Sequence, residues 1–259
     1  MNIAELVKQW EAEENAAFVG WDFSYIDGRW DYPKAPWDYA SIVQTYRKDA
    51  DRLLDMGTGG GEFLLTLGHP YENTYVTEAY EPNYQLCKRM LAPLGITVAR
   101  TYTDENFNAD DKLPFDDNFF DIVINRHESF DLEEVDRVLK PGGYFITQQV
   151  GNKSCREFMQ RLNDGGFVSH SPAHRIEEYT SKLVELGFEI VKADDAQYLV
   201  KFYDVGALVY YAKVIVWEFP GFSVKTHLDK LLDCQREVEE KGYLSGTGHS
   251  FYIVARKIY

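Results

Sequence analysis

One stretch of the sequence predicts the architecture: Leu53-Leu54-Asp55-Met56-Gly57-Thr58-Gly59-Gly60-Gly61-Glu62-Phe63. Its apolar start is typical of a buried strand, and its glycines allow positive φ angles and a close approach of the backbone to a ligand. A helix that follows such a turn can direct its first N–H groups at a negatively charged group. The stretch therefore predicts a nucleotide-like cofactor at the carboxyl end of a strand in an α/β sheet.

The third glycine position argues against a dinucleotide. The dinucleotide fingerprint G-x-G-x-x-G requires glycine where this chain has Glu62. In addition, Asp55 lies two residues before the first glycine, where its charge would repel a pyrophosphate and suit a cofactor with a cationic group. An NAD-dependent oxidoreductase is therefore disfavoured.

The sequence on both sides of this stretch alternates between strand and helix patterns. After a strand at 52–56, we expect strands at 74–79, 96–102, 120–125 and 144–150, with helices between them at 62–67, 82–94 and 132–139. Later patterns predict helices at 176–186, 205–216 and 226–241, and strands at 188–192 and 251–255. Such alternation indicates a mainly parallel sheet that is covered on both faces.

Three further motifs accompany the glycine-rich loop. Glu78 ends the second strand, 17 residues after Gly61; residues 113–123 read LPFDDNFFDIV; and residues 137–143 read RVLKPGG. Together with the loop, these motifs resemble class I S-adenosylmethionine (SAM)-dependent methyltransferases of the methyltransferase type 11-like group. The resemblance implies a Rossmann-like seven-stranded sheet, mostly parallel, with an antiparallel last strand near the C-terminus.

Two regions extend beyond this core. Residues 1–48 predict an N-terminal helix and a cap rich in aromatic residues, because four of the five tryptophans occur by Trp37. The methyltransferase domain is expected at 49–259. Within it, a helical insertion at about 200–242, before the last strand, is expected to form part of a substrate lid.

The resemblance implies SAM as the cofactor and assigns residues to it. The loop residues expected to bind it are Asp55, Gly57, Thr58, Gly59 and Gly61. Glu78 is expected on the ribose hydroxyls, since a carboxylate can accept two hydrogen bonds, and Asn125 is expected to line the cofactor. The adenine contact is assigned to Asp104, or second to Glu105, because Asn108 occupies the offset where the family has an acid.

Catalysis is expected at the carboxyl end of the fourth strand. The resemblance implies an in-line methyl transfer, in which the protein mainly positions the reactants and excludes water. His127 is the candidate base, and Glu128 would orient it or bind substrate. In the alternative, Asn125 and Arg126 line the cofactor through their backbone while His127 caps a helix.

Five residues are candidates for binding the acceptor: Trp21, Tyr25, Trp37, Gln149 and Tyr211. The aromatic members can enclose a planar or apolar molecule, and either Gln148 or Gln149 can hydrogen-bond it. The alternative is that the aromatics pack the N-terminal helix onto the domain and that the glutamines are polar strand ends. His170 and His174 are spaced H-x-x-x-H, but Pro172 and the lack of a third ligand predict a loop, so no metal is expected.

The composition narrows the range of partners. The formal net charge of −15 disfavours nucleic acid as a general partner, so a small-molecule acceptor is favoured over RNA. A SAM-binding protein without enzymatic activity stays open. The three cysteines contain no C-x-x-C pair, and neither a signal peptide nor a membrane span is expected. We therefore expect a cytoplasmic monomer or homodimer with reduced thiols.

Overall fold

The computed structural model describes residues 2–18, 23–101, 112–163 and 175–259. These residues form two compact units. The first unit comprises Met1–Ala35, Asn152–Ala173 and Ala196–His249, and the second comprises Pro36–Gly151, His174–Asp195 and Ser250–Tyr259. The division expected at residue 48 stays a prediction.

The helices and strands follow the chain in this order: α1 (Ile3–Glu14), β1 (Trp30–Asp31), α2 (Tyr39–Tyr46), β2 (Leu53–Met56), α3 (Glu62–Thr66), β3 (Thr74–Glu78), α4 (Glu81–Met90), β4 (Thr97–Arg100), β5 (Phe120–Arg126), α5 (Leu132–Val138), β6 (Leu139–Val150), α6 (Arg156–Leu162), α7 (Ile176–Glu185), β7 (Phe188–Phe202), α8 (Val205–Val214), α9 (Leu228–Lys241) and β8 (Leu244–Lys257). The described strands are ordered β1-β7-β8-β6-β5-β2-β3-β4.

The sheet therefore has eight strands, and the expectation of seven is wrong. The additional strand is β1, which pairs antiparallel with the end of β7 through Trp30 opposite Phe202 and Asp31 opposite Lys201. Two residues are too few to produce an alternating pattern. Strand β1 could therefore not be recognised within the aromatic segment from the sequence.

The second unit contains the parallel part of the sheet, as expected. β2 pairs in parallel with β3 and β5, and β5 pairs in parallel with β6. β8 is antiparallel to β6, with Ile146 opposite Val254. The residues Leu53, Leu54 and 122–124 have no exposed surface, because apolar side chains cover the sheet on both faces.

Arg137, from the RVLKPGG motif, holds the loop that leads into β5. Its guanidinium donates to the carbonyl oxygens of Leu113 and Phe115 at 2.9 and 2.8 Å. It also pairs with the carboxylates of Glu134 and Asp117, and the pKa of Glu134 lies below its usual value because of Arg137. The planar guanidinium supplies several donors in one fixed geometry, so this motif joins α5 to the 113–117 loop.

The first unit is built around α8, whose residues Val205–Ala212 are all buried. The aromatic rings of Phe23, Trp30 and Phe202 lie against Tyr211 at centroid distances of 5.5–6.1 Å. Asp204 caps the start of this helix by accepting from the Ala207 N–H at 2.8 Å. In the part of the chain that the structure describes, every helix is too short or too polar to cross a lipid bilayer.

Candidate functional site

The glycine-rich loop has the backbone geometry that its sequence predicts. Gly57, Gly59 and Gly61 have φ angles of 68°, 64° and 85°, which side chains with a Cβ rarely adopt. The N–H groups of Gly57 and Thr58 both donate to the carbonyl oxygen of Thr77, at 3.1 and 3.2 Å. The loop is thus held against the end of β3, and α3 begins directly after it.

Glu78 lies next to this loop. Its Oε2 accepts from the Gly59 N–H at 2.8 Å, and its Oε1 accepts from the Tyr80 N–H at 3.1 Å. The side chain is buried, and burial raises its pKa. Each carboxylate oxygen can accept more than one hydrogen bond, so Glu78 keeps acceptor capacity for the hydroxyl groups of a ligand.

Asp55, near the end of β2, is buried. Burial raises the pKa of Asp55 to about 7, against the opposing effects of a side-chain hydrogen bond with Thr58 and of the charge of Arg126. A buried carboxyl with a raised pKa indicates a ligand site, and the open space beside Gly59 fits the same interpretation.

Glu128 is the third carboxyl at this loop. Its side chain lies directly over Gly57, where an added Cβ would overlap Glu128 Cγ. Burial and the charge of Glu78 raise the pKa of Glu128 to about 7. Carboxyls that are withdrawn from water and repel one another favour a cationic ligand, and the amino group and sulfonium of SAM meet this requirement.

Asn125 and Gln149 form a buried pair beside the loop. Gln149 Nε2 donates to Asn125 Oδ1 at 2.6 Å and to the carbonyl oxygen of Glu128 at 3.3 Å. Asn125 Nδ2 is buried and lacks a hydrogen-bond partner in the described part of the chain. Gln149, which the sequence assigned to the acceptor, is thus hydrogen-bonded to the residue expected to line the cofactor.

His127 lies at the turn after β5 in an unusual conformation. Its φ is 65°, and its backbone N–H donates to the carbonyl oxygen of Gln148 at 2.9 Å. The ring retains surface that is open to solvent. The surrounding protein atoms and Arg126 nevertheless lower the pKa of His127 to about 4, so the imidazole is neutral at pH 7.

Gln148 contacts the His127 ring, although the sequence suggested Glu128 for that position. Gln148 Nε2 lies 3.1 Å from His127 Nε2, whereas Glu128 Oε1 accepts from the Ser129 hydroxyl at 3.3 Å. Trp37 joins the same group, since its indole N–H donates to Gln148 Oε1 at 2.7 Å. The sequence named Gln148 and Trp37 separately and contained no signal that they touch.

Two other candidates for the acceptor site, Tyr25 and Tyr211, belong to the first unit. Tyr25 is half-exposed and lies 4.7 Å from the ring of Tyr210. Tyr211 is buried in the core, with its hydroxyl 3.2 Å from Cys155 Sγ. Within the described ranges, no three His, Cys, Asp or Glu side chains come together as a metal site. The remaining expectations, for Trp21, Asp104, Glu105, His170 and His174, lie outside the described residues.

Comparisons with known proteins agree with this geometry. A family model described as a methyltransferase domain matches residues 54–147. An uncharacterised methyltransferase of Schizosaccharomyces pombe is 34% identical over 136 residues, which is 45% of this chain and 46% of that protein. A mitochondrial arginine hydroxylase of Danio rerio is 28% identical over 156 residues, or 54% of this chain and 46% of that one. The chain thus spans about half the length of the curated relatives that it matches.

Two solved structures share the fold. The YcgJ protein of Bacillus subtilis has a TM-score of 0.54 at 17% identity, covering 85% of this chain and 98% of that one. A putative methyltransferase of Bacillus halodurans has a TM-score of 0.52 at 18% identity, with coverages of 86% and 99%. The family model spans the glycine-rich loop, Glu78 and the turn at His127. Residues 54–147 of the chain therefore match a methyltransferase domain.

Proposed function

We propose that this protein transfers the methyl group of SAM to a small-molecule acceptor. The observation that carries the proposal is the set of three carboxyls, Asp55, Glu78 and Glu128, around a loop of positive-φ glycines. Bound SAM supplies a methyl group that is attached to a positively charged sulfur. When a nucleophile attacks the methyl carbon, the sulfur leaves as a neutral thioether. The protein then needs to neutralise charge, align the reactants and exclude water.

In this proposal, Glu78 accepts hydrogen bonds from the ribose hydroxyls while it keeps its bond to the Gly59 N–H. Asp55 and Glu128 face the cationic end of the cofactor, and the loop residues Gly57–Gly61 contact it through the backbone. Asp104, or second Glu105, is assigned to the adenine. Asn125 lines the cofactor, held by Gln149.

In the second unit, His127, Glu128 and Trp37 are assigned to the acceptor side. Trp37 supports His127 through Gln148. The assignments of Trp21, Tyr25 and Tyr211 to the acceptor, and of the insertion at about 200–242 to the lid, stay predictions from the sequence. A small acceptor is favoured over RNA because the chain carries a formal net charge of −15, which repels a phosphate backbone.

Calorimetry tests the cofactor assignment. We expect SAM and S-adenosylhomocysteine to bind and NADH not to bind. Glu78→Ala and Asp55→Ala should each weaken SAM binding, whereas Glu72→Ala, which removes an exposed acid, should not. NADH binding without SAM binding, or unchanged SAM affinity in both site variants, would remove the assignment.

A labelling experiment tests the acceptor. The protein is incubated with methyl-labelled SAM and a cell extract that is split into a metabolite fraction and an RNA fraction. Label in the metabolite fraction supports the proposal, and label in the RNA fraction supports an RNA methyltransferase. A protein that binds SAM but moves no label would favour a role without methyl transfer. A relative named as an arginine hydroxylase makes this outcome worth measuring.

A further inference from the structure

Three side chains from distant parts of the second unit form a hydrogen-bonded row. The Trp37 indole N–H donates to Gln148 Oε1 at 2.7 Å, and Gln148 Nε2 lies 3.1 Å from His127 Nε2. The indole nitrogen is a donor only. The amide oxygen of Gln148 must therefore face Trp37, which turns the amide NH₂ toward His127.

This fixed amide determines where the imidazole carries its proton. An NH₂ group can only donate, so His127 Nε2 must accept and cannot be protonated while this bond persists. The proton of the neutral ring then lies on Nδ1. The backbone bond from His127 N–H to the Gln148 carbonyl oxygen, at 2.9 Å, keeps the two residues together.

The charged groups near His127 also bear on whether its ring is protonated. Arg126 and Glu128 are the charged neighbours of His127 along its own segment, whereas Gln148 on β6 and Trp37 before α2 are neutral. The protein atoms around the ring and, second, the charge of Arg126 oppose a positive charge on it and lower the pKa of His127 to about 4. A ring that stays neutral and has Nε2 engaged is a poor proton acceptor.

We propose that Trp37 and Gln148 are positioning residues that hold His127 as its Nδ1–H tautomer, so that His127 donates a hydrogen bond to the acceptor substrate instead of acting as a base. The part that concerns the substrate rests on the proposed methyl transfer; the tautomer does not. His127 was expected to be a base, so this inference changes its role and keeps its position.

The tautomer also restricts the substrate class. The nucleophile must be able to accept a hydrogen bond from Nδ1–H and must not need His127 to remove its proton. A carboxylate or another oxygen that is anionic at neutral pH satisfies both conditions. The oxygen lone pair forms the new bond to carbon, the carbon–sulfur pair stays on sulfur, and no proton passes to His127.

Nuclear magnetic resonance of the free protein tests the tautomer without a substrate. Long-range proton–nitrogen spectra distinguish a protonated ring nitrogen from a bare one, and His127→Gln identifies the signal among the six histidines. We expect protonated Nδ1 and bare Nε2 at pH 7, and no titration of the ring between pH 8 and pH 6. A proton on Nε2, or a charged ring at pH 6, would overturn the proposal.

Gln148→Glu is the decisive variant. A carboxylate in place of the amide accepts from both neighbours, so His127 should move its proton to Nε2 and its pKa should rise by about 2 units. Gln148→Met, of similar length but without a donor or acceptor, is the matched control and should give a smaller rise. Trp37→Phe, which frees the amide to rotate, provides an independent second test and should yield a mixture of tautomers. If the tautomer of His127 is unchanged in both Gln148→Glu and Trp37→Phe, the proposal that Trp37 and Gln148 determine it is refuted.

The functional half has its own readout. A carboxylate metabolite labelled in the acceptor experiment supports the donor role, whereas an acceptor that must lose a proton at a pKa well above neutral contradicts it. If the protein transfers no methyl group but His127 is the Nδ1–H tautomer, the proposed function is refuted. The proposed positioning of His127 by Trp37 and Gln148 is not refuted by that result.

Discussion

The three carboxyls at the glycine-rich loop predict that SAM binding releases protons. In the free protein Asp55 and Glu128 each have a pKa of about 7, so each is about half protonated at pH 7. Positive charge in the site lowers both values, and the carboxyls ionise on binding. At pH 7 this releases about half a proton from each group, or about one in total.

The direction of the pH dependence of SAM binding follows from the raised pKa values of Asp55 and Glu128. Below pH 7 the free protein holds protons that must leave before the cation binds, so the affinity for SAM falls as the pH falls. If both groups are fully ionised in the complex, the affinity should drop about a hundredfold between pH 8 and pH 6. S-adenosylhomocysteine lacks the sulfonium charge and should show a weaker dependence.

Calorimetry in two buffers of different ionisation enthalpy measures the number of protons released. Glu128→Gln removes one of the two titrating groups, so the release should fall to about half a proton and the pH dependence to about tenfold. Glu72→Gln, at an exposed position, should behave as the unmodified protein does. A SAM affinity that is constant from pH 6 to pH 8, with no proton released, would refute the reasoning.

Three further predictions concern stability. Gly57→Ala and Gly59→Ala both place a Cβ at positive φ, which costs about 1–2 kcal/mol of stability. Gly57→Ala should lower the thermal stability more, because its Cβ also meets Glu128 whereas Gly59 faces open space. Equal losses of stability in the two variants would contradict this. Asp55→Asn should stabilise the free protein at pH 8 by on the order of 4 kcal/mol, because the pKa of Asp55 is raised in the folded state and stability is therefore lost as the pH rises from about 4 through 7. Unfolding curves that do not converge with those of the unmodified protein at pH 4 would refute this prediction. Asp204→Ala should lower the free energy of unfolding by about 2 kcal/mol, because it removes the cap of α8 and the pairing with Arg29. Asp204→Asn keeps an oxygen for the cap, so denaturant unfolding should show a clearly smaller loss.

The parallel core was predictable because its signals are local. The first expected strand, at 52–56, corresponds to Leu53–Met56, and the strand expected at 120–125 corresponds to Phe120–Arg126. Strands buried on both faces are continuous apolar runs, and glycines mark where such a run must turn. These two signals placed the loop, Asp55 and Glu78 at one edge of the sheet before any tertiary contact was known.

The long antiparallel strands were not predictable in the same way. β7 was expected to end at residue 192, but it continues to Phe202. Residues 191–195 are all exposed, so no alternation marks the strand there, and the alternation resumes only from residue 196. β8 was expected from residue 251 and begins at Leu244, because Gly246 and Gly248 interrupt the strand pattern. Both glycines lie under aromatic rings, those of Phe158 and Tyr198, and glycine in a strand often marks such a close approach.

The glutamines at the end of β6 show why the site chemistry needed the structure. Successive side chains of a strand point to opposite faces, so Gln148 and Gln149 look equivalent in sequence but meet different partners. Gln149 reaches Asn125 within the sheet, whereas Gln148 meets Trp37, which is 111 residues away along the chain. Only that distant donor fixes the direction of the Gln148 amide, and the amide in turn determines which nitrogen of His127 carries the proton. The position of a titratable residue can thus follow from sequence while its role as donor or base depends on a contact that no local pattern encodes.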